Sequence, residues 1–409
     1  MSTTLPSVTD ERIDRLLDTP SVQRAFSYFD SHAEAITEEQ LQINSIPAPP
    51  FGEARRAAYI RQKLFAAGLT SAQIDDEGNC VALRRGISDE PLLVVSAHLD
   101  TVFPLETDLT PRSVGAKLFA PGIADDACGL VALIAVASAL KVCEIKTAGS
   151  ILFVGTVGEE GRGNLRGVRH LFTKGEWAGR INAFISFDGA GLDRITNGAL
   201  GSRRYRVEFR GAGGHSWSDF GTANPVHALA RAVARLASYP APTHPRTTFN
   251  VGRIEGGQGV NAIPREASMD VDLRSTSGDE LLKLDAFFRR SVREAADEEN
   301  VRRSSGTEPL AVVTEMIGER PGGETRETDQ LVTLAWAATE AVGGKASLDQ
   351  ASTDSNLPIS LGIPAITLGG GGTSANSHTP DEWYDPRNRA AALKRALLVM
   401  LGFVGLQNS

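Results

Sequence analysis

Cysteine is scarce in this 409-residue chain: Cys80, Cys128 and Cys143 are an odd set with no paired spacing. That argues against a disulfide framework and against cysteine-built zinc binding, and it fits reduced thiols in a cytoplasmic protein. Positive charge is also short, with 42 Lys and Arg against 50 Asp and Glu, a net charge of −8 and a pI near 5.5. Nucleic acid and anionic membrane surfaces need clustered positive charge, so neither is an expected partner, whereas small solutes are. No apolar run reaches membrane-spanning length. The opening "MSTTLPSVTDERIDRLLDTPS" places acids early, with no basic segment before an apolar core, and so does not read as a secretory signal. There is no internal repeat, no low-complexity tract and no "GxSxG" turn of the kind that presents a nucleophilic serine. What remains, 41% apolar and 22% charged, is ordinary globular composition with length for roughly two or three domains.

From about Ser21 to Leu69 the pattern is helical. It breaks at "SIPAPPFGE", where prolines cannot continue a helix, and restarts in "EARRAAYIRQKLFAAGL". The short apolar runs "CVALRR", "PLLVVSAHLD", "SILFVGTV" and "INAFISFDG" suit buried strands, and "GLVALIAVASALKV" between them has helical length. This alternation predicts an α/β domain with a mostly parallel sheet. After about Gly198 the texture changes to "RYRVEFRGAG" and "ASMDVDLRS", with helices at "NPVHALARAVARLAS" and "GDELLKLDAFFRRSVREAADEEN". Two helices on a four-stranded antiparallel sheet make an inserted α+β domain, expected over 199–315. Residues 1–198 and 316–409 then form the first domain.

Four apolar runs finish on groups that can do chemistry. "VVSAHLD" gives His98 and Asp100, "VGEE" gives Glu159 and Glu160, "FISFDG" gives Asp188, and "PGIADDACG" after "KLFA" gives Asp125 and Asp126. Adjacent glutamates cannot share a pocket while a strand continues, but Gly158 and Gly161 flank the pair and allow the strand to end. In an open α/β sheet the carboxyl ends of strands form the ligand crevice, so these groups should converge. Imidazole with several carboxylates suits zinc, and more oxygen ligands also admit manganese or cobalt. His98 and Asp100 lie two apart, which would let the Asp100 carboxylate hold the imidazole. A further histidine, His378, follows four glycines in "GGGGTSANSHTPDEW". That run reads equally as a surface loop or as backbone that approaches a substrate.

"SAHLDTVFP", "GIADDACG", "GEEGRGN", "SFDGAG", "GAGGHS", "GQGVNAIP", "DLRS" and "SHTPDEW" follow one another in this order. Together they resemble the dinuclear zinc exopeptidases and amidohydrolases, a family that includes peptidase T, glutamate carboxypeptidase, acetylornithine deacetylase and succinyl-diaminopimelate desuccinylase. The resemblance implies two divalent metal ions, most often zinc, with His98 and Asp188 on one, Glu160 and His378 on the other, and Asp125 bridging. It makes Glu159 the general base, gives Asp100 the task of orienting His98, and places a cis peptide after Asp125. His215 would donate to the oxyanion, either from a partner subunit or on domain closure, so a homodimer through the inserted domain is implied. Asn261 and Arg274 would face the substrate, the guanidinium reading a free carboxylate. His32, His170, His227 and His244 match no motif. Many relatives carry lysine where this chain has Ala127, which leaves the metal ligands intact. The implied substrate is a small peptide, cleaved as peptidase T-like members do. An N-acyl amino acid is the alternative, and a non-catalytic ligand-binding member of the fold would need a missing ligand or base.

Overall fold

The computed structural model describes residues 10–407, so the first nine residues of the segment read above for a secretory signal lie outside the described residues. Two compact units divide the chain, one of Met1–Ala199 with Glu324–Ser409 and one of Leu200–Gly323.

The first unit is built on a large sheet. Its order runs Gln73–Ile74, Cys80–Arg84, Ser150–Thr156, Leu92–His98, Ala183–Phe187, Ala365–Leu368 and Arg194–Ala199, with Ser347–Ala351 against the last. The strand Leu92–His98 lies between Ser150–Thr156 and Ala183–Phe187 and runs parallel to both. Every residue of these three strands is buried. Alternate side chains enter two different cores. Leu93, Val95 and Ala97 pack with the helix Ala127–Val142, whereas Val94 joins Leu152, Phe184, Leu171 and Trp177. Burial on both faces is why the strands read as continuous apolar runs rather than alternating ones. The helix Ala127–Val142 is apolar all round for the same reason, since other helices cover the sides that the sheet leaves.

Register sets the site. His98 pairs with Thr156, and Ala97 pairs with both Gly155 and Phe187, so the three strands end nearly level and the residues after them emerge together. "KLFA" departs from the sequence expectation. Lys117–Phe119 is not in the large sheet but in a small antiparallel one, ordered Thr373–Ala375, Trp383–Asp385, Lys117–Phe119 and Arg112–Val114. Asp125 therefore arrives from a separate platform. The run "KLFA" is too short and too exposed to hold a central position, and its three strand residues are only half-buried.

The second unit is a four-stranded antiparallel sheet, ordered Thr247–Gly256, Glu266–Ser275, Gly201–Arg210 and Ala311–Arg320. The helices Pro225–Ala237 and Gly278–Arg302 pack on one face. Tyr205, Val207, Phe209, Met269, Val271 and Leu273 point into that core, while Arg204, Arg206, Asp270 and Asp272 pair across the other face. Such alternation is what a sheet with one solvated face requires. The expected end of this domain, between residues 315 and 316, falls inside the strand Ala311–Arg320. That strand pairs along its length with Gly201–Arg210, which carries the unit on to Gly323.

Among the described residues no helix is long and apolar enough to cross a membrane. All three cysteines are unpaired.

Candidate metal centre

His98 is the last residue of its strand and is buried. Its Nδ1 lies 2.9 Å from the Asp100 carbonyl oxygen, which can only accept, so Nδ1 carries a proton and Nε2 is the nitrogen turned towards the other acids. Nε2 faces Asp125 Oδ1 at 2.9 Å. The sequence spacing suggested that the Asp100 carboxylate would hold the imidazole, and here the structure differs. That carboxylate stands 3.8 Å from Nδ1 and accepts instead from the backbone N–H groups of Glu159 and Glu160, at 2.9 and 2.7 Å. The strand ends at His98, so alternation no longer governs Asp100. Asp100 thus orients the ring with its backbone and the glutamate pair with its side chain.

Glu159 and Glu160 follow Ser150–Thr156 through a turn at Gly158, φ +70°. A Cβ at Gly158 would meet Arg166 Cγ at 2.7 Å and Gly163 Cα at 3.1 Å, so glycine is needed for space as well as for conformation. Both glutamates are buried. Glu160 Oε1 lies 2.9 Å from His378 Nε2, and Asp125 Oδ2 lies 3.0 Å from the same nitrogen. Asp125 thus reaches His98 with one oxygen and His378 with the other. His378 itself is about half exposed, 53% for the side chain, at a φ of +66°.

Asp188 follows the strand Ala183–Phe187 and joins a second grouping with His98 and Asp126. Asp126 is otherwise engaged. Its carboxylate accepts from the backbone N–H groups of His98, Gly129 and Gly189 at 3.1, 3.0 and 3.2 Å, capping the helix Ala127–Val142. We therefore take Asp126 as a brace and leave His98, Asp125, Glu160, Asp188 and His378 as the candidate ligands. The peptide between Asp125 and Asp126 is cis, as the resemblance implied.

Burial and crowding set the ionisation. Burial, with the charge of Asp125 behind it, pushes Asp188 up to about 8, and burial holds Glu160 above its usual range. Burial also pushes Asp100 up to about 7. For Asp125 the burial penalty is outweighed by hydrogen bonds from His378 and His98, which hold it well below the usual carboxylate range. The hydrogen bonds to Asp125 and Glu160 raise His378 to about 10. Burial opposes charge on His98, yet its bond to Asp125 and the charges of Asp126, Asp125 and Asp188 carry it well above the imidazole norm. A cluster of buried acids and imidazoles of this kind is a candidate cation site.

Two contributors were missed in reading the sequence. Arg56, fully buried, donates to the carbonyls of Leu99 at 2.9 Å and Ile46 at 2.6 Å, pinning the turn after His98. Glu382 is also fully buried, and its carboxylate accepts three backbone N–H groups from the segment that ends on Asp125. Burial pushes its carboxyl up to about 7 against those bonds. "SHTPDEW" contained the signal for Glu382: an acid four residues beyond a candidate ligand.

In the second unit His215 sits on the short strand Gly214–His215, paired with Ala262 next to Asn261. Its Nδ1 accepts from the N–H of Trp217 at 3.2 Å, so Nε2 carries the proton. Arg274 is elsewhere. It pairs with Ser202 near one end of the strand Glu266–Ser275 while Glu266 pairs with Arg210 at the other, roughly 26 Å of extended chain away. Its Nε is taken by Asp272 at 2.6 Å. Asn261 and Arg274 do not form an adjacent pair within the unit. His32 caps a helix end, and His170 and His227 have carboxylates only at 3.9 Å. His244 precedes a cis proline.

A family model described as peptidase family M20/M25/M40 matches residues 94–404. Succinyl-diaminopimelate desuccinylase of Nitrosococcus oceani is 32% identical over 234 residues, which cover 53% of this chain and 61% of that protein. The match thus spans about three fifths of the curated relative's length. Among solved structures, the aminopeptidase PepT of Bacillus cereus aligns with a TM-score of 0.74 at 21% identity, over 91% of this chain and 98% of that one. A dinuclear metal-binding peptidase of Bacillus subtilis aligns with a TM-score of 0.65 at 16% identity, over 92% and 99%. At such identities the structural likeness is one of fold.

Proposed function

Because the chain belongs to peptidase family M20/M25/M40, we propose that its acid–histidine cluster hydrolyses an amide bond in small peptides, as an exopeptidase, with two divalent cations as cofactors. The observation that carries the reading is Asp125 standing between His98 and His378 at 2.9 and 3.0 Å, with Glu160 on His378 and Glu159 beside it in sequence. The donor set fits the cofactor. Two imidazoles and three carboxylates suit zinc, manganese or cobalt, and burial, which raises Asp188 and Glu160, makes their charge costly unless a cation offsets it. His98 and Asp188 would hold one cation, Glu160 and His378 the other, and Asp125 both. When bound, the pair supplies Lewis acidity that activates a water and steadies charge on a carbonyl oxygen.

The chain's own groups do the rest. Glu159 takes a proton from the attacking water and returns it to the departing amine. Asp100 keeps Glu159 and Glu160 in register through their amides, and its carbonyl fixes the His98 tautomer. His215, protonated on Nε2, is the proposed oxyanion donor, and Asn261 and Arg274 the proposed substrate contacts.

A second reading, deacylation of an N-acyl amino acid, is favoured by the desuccinylase relative. One experiment separates them: the chelator-stripped protein is given zinc, manganese or cobalt and assayed on dipeptides, tripeptides, and N-acetyl and N-succinyl amino acids. Turnover of peptides that vanishes on chelation and returns with metal is expected. Faster turnover of the acyl amino acids would favour the second reading, and a metal-loaded protein that cleaves none of them would sink both.

We also propose a homodimer formed through the inserted unit and a cytoplasmic location. Trp217, Phe220 and Val260 are exposed on that unit in the segments that carry His215 and Asn261, which supports a covered face there. Sedimentation should give a dimer that Trp217→Ser with Phe220→Ser converts to a monomer, and a wild-type monomer at micromolar concentration would refute it.

A further inference from the structure

We propose that Glu382 is a positioning residue, one that holds the segment bearing Asp125 and the segment bearing His378 as a single piece and so builds the second cation position. The inference rests on the metal-site reading above and assigns a device within it.

Three observations carry it. Glu382 Oε1 accepts from the N–H groups of Ala124 at 2.8 Å and Asp125 at 3.1 Å, and Oε2 accepts from Gly122 at 3.0 Å. The Glu382 carbonyl accepts from Ala120 N–H at 3.1 Å, so backbone and side chain grip the same loop. Second, Glu382 closes the turn that carries His378. Its N–H donates to Thr379, whose own N–H donates to Asn376. Third, the two segments belong to one small sheet, with Trp383 opposite Phe119 and Thr373–Ala375 on the far side of Trp383–Asp385.

Neither ligand is on a rigid element. Asp125 lies in a loop, and His378 sits in a turn where both it and Asn376 have positive φ. A loop with several inward N–H groups has few acceptors to choose from, and a carboxyl group, with two oxygens, can collect more than one of them. By collecting three of them, Glu382 fixes the backbone from which the Asp125 carboxylate projects. Because His378 is four residues away on the same turn, it also fixes the separation of Asp125 Oδ2 and His378 Nε2, now 3.0 Å. Glu382 has none of its own oxygens in the candidate ligand groupings, so its effect is exerted through Asp125 and His378.

The test compares wild type, Glu382→Gln and Glu382→Ala. Each is loaded with cobalt(II), gel-filtered, and read for bound metal, visible absorption, far-ultraviolet circular dichroism, kcat and KM. Wild type should retain two equivalents. Glu382→Ala with an unchanged dichroism spectrum should bind one equivalent roughly 10–100-fold more weakly, with an altered cobalt spectrum and a fall in kcat larger than any change in KM. Glu382→Gln keeps an oxygen for Ala124 and Asp125 and should lie between the two. A folded Glu382→Ala that holds both equivalents with the wild-type spectrum overturns the proposal. Should Glu382→Ala fail to fold, Glu382→Gln decides: weakened binding supports the proposal, and wild-type binding overturns it. If wild type itself takes up no pair of cations, the metal-site reading falls with it, whereas normal wild-type loading confines the failure to Glu382.

Discussion

Replacing Glu159 by glutamine should lower kcat by roughly 10²–10⁴-fold, the usual contribution of a general base, while the metal content stays at the wild-type value. The two adjacent glutamates make this a demanding prediction, because they differ by one residue and share an anchor. Asp100 receives both of their backbone N–H groups, at 2.9 and 2.7 Å, so the turn presents them as a fixed pair. Glu160 joins a candidate ligand grouping and meets His378 at 2.9 Å. Glutamine keeps the volume and a hydrogen-bond acceptor but cannot take up a proton at neutral pH. Metal analysis alongside steady-state kinetics checks it, and a Glu159→Gln protein with more than a tenth of wild-type kcat would mean that another group moves the proton.

Asp125→Ala should do more, removing both cations and with them at least about 10³-fold of turnover, since cation-assisted charge stabilisation is worth several kcal/mol. Asp125 meets both histidines, one with each carboxylate oxygen. A ligand that binds only the folded state raises its apparent stability, so zinc should lift the melting temperature of the wild type and leave that of Asp125→Ala where it was. A zinc-dependent shift equal to the wild type's in the variant would show that Asp125 is not shared between the two positions.

The parallel strands and the central helix were legible because burial on both faces leaves an unbroken apolar signature, as in "LLVVSAH" and "SILFVGT". His98, Asp188 and the glutamate pair were legible for the same reason, as strand-end residues. Residues whose roles depend on distant pairing were not. Lys117–Phe119 looked like one more sheet strand, yet its neighbour is Trp383–Asp385. Arg56 reads as one of several charged residues on an amphipathic helix, and nothing local reveals that its guanidinium ends among the carbonyls of Ile46 and Leu99. Asp100 failed differently: its position was right, but alternation was extended two residues past the end of the strand. The far boundary of the inserted unit was missed because the strand Ala311–Arg320 lacks a strongly apolar face, with most of its residues at least partly exposed.

The small sheet that joins Lys117–Phe119 to Trp383–Asp385 also imposes a timetable on synthesis. A ribosome adding about 5–20 residues per second needs roughly 15–50 s to pass from one strand to the other. Once Asp188 has been added the nascent chain carries His98, Asp125, Glu160 and Asp188, but His378 and Glu382 are still to be made. The Gly122, Ala124 and Asp125 amides wait for their acceptor, and an ion captured early would meet an unfinished set of donors. On the proposed ligand assignment, loading with the full complement would be a late event, coupled to the arrival of the C-terminal hairpin rather than to the folding of the parallel sheet.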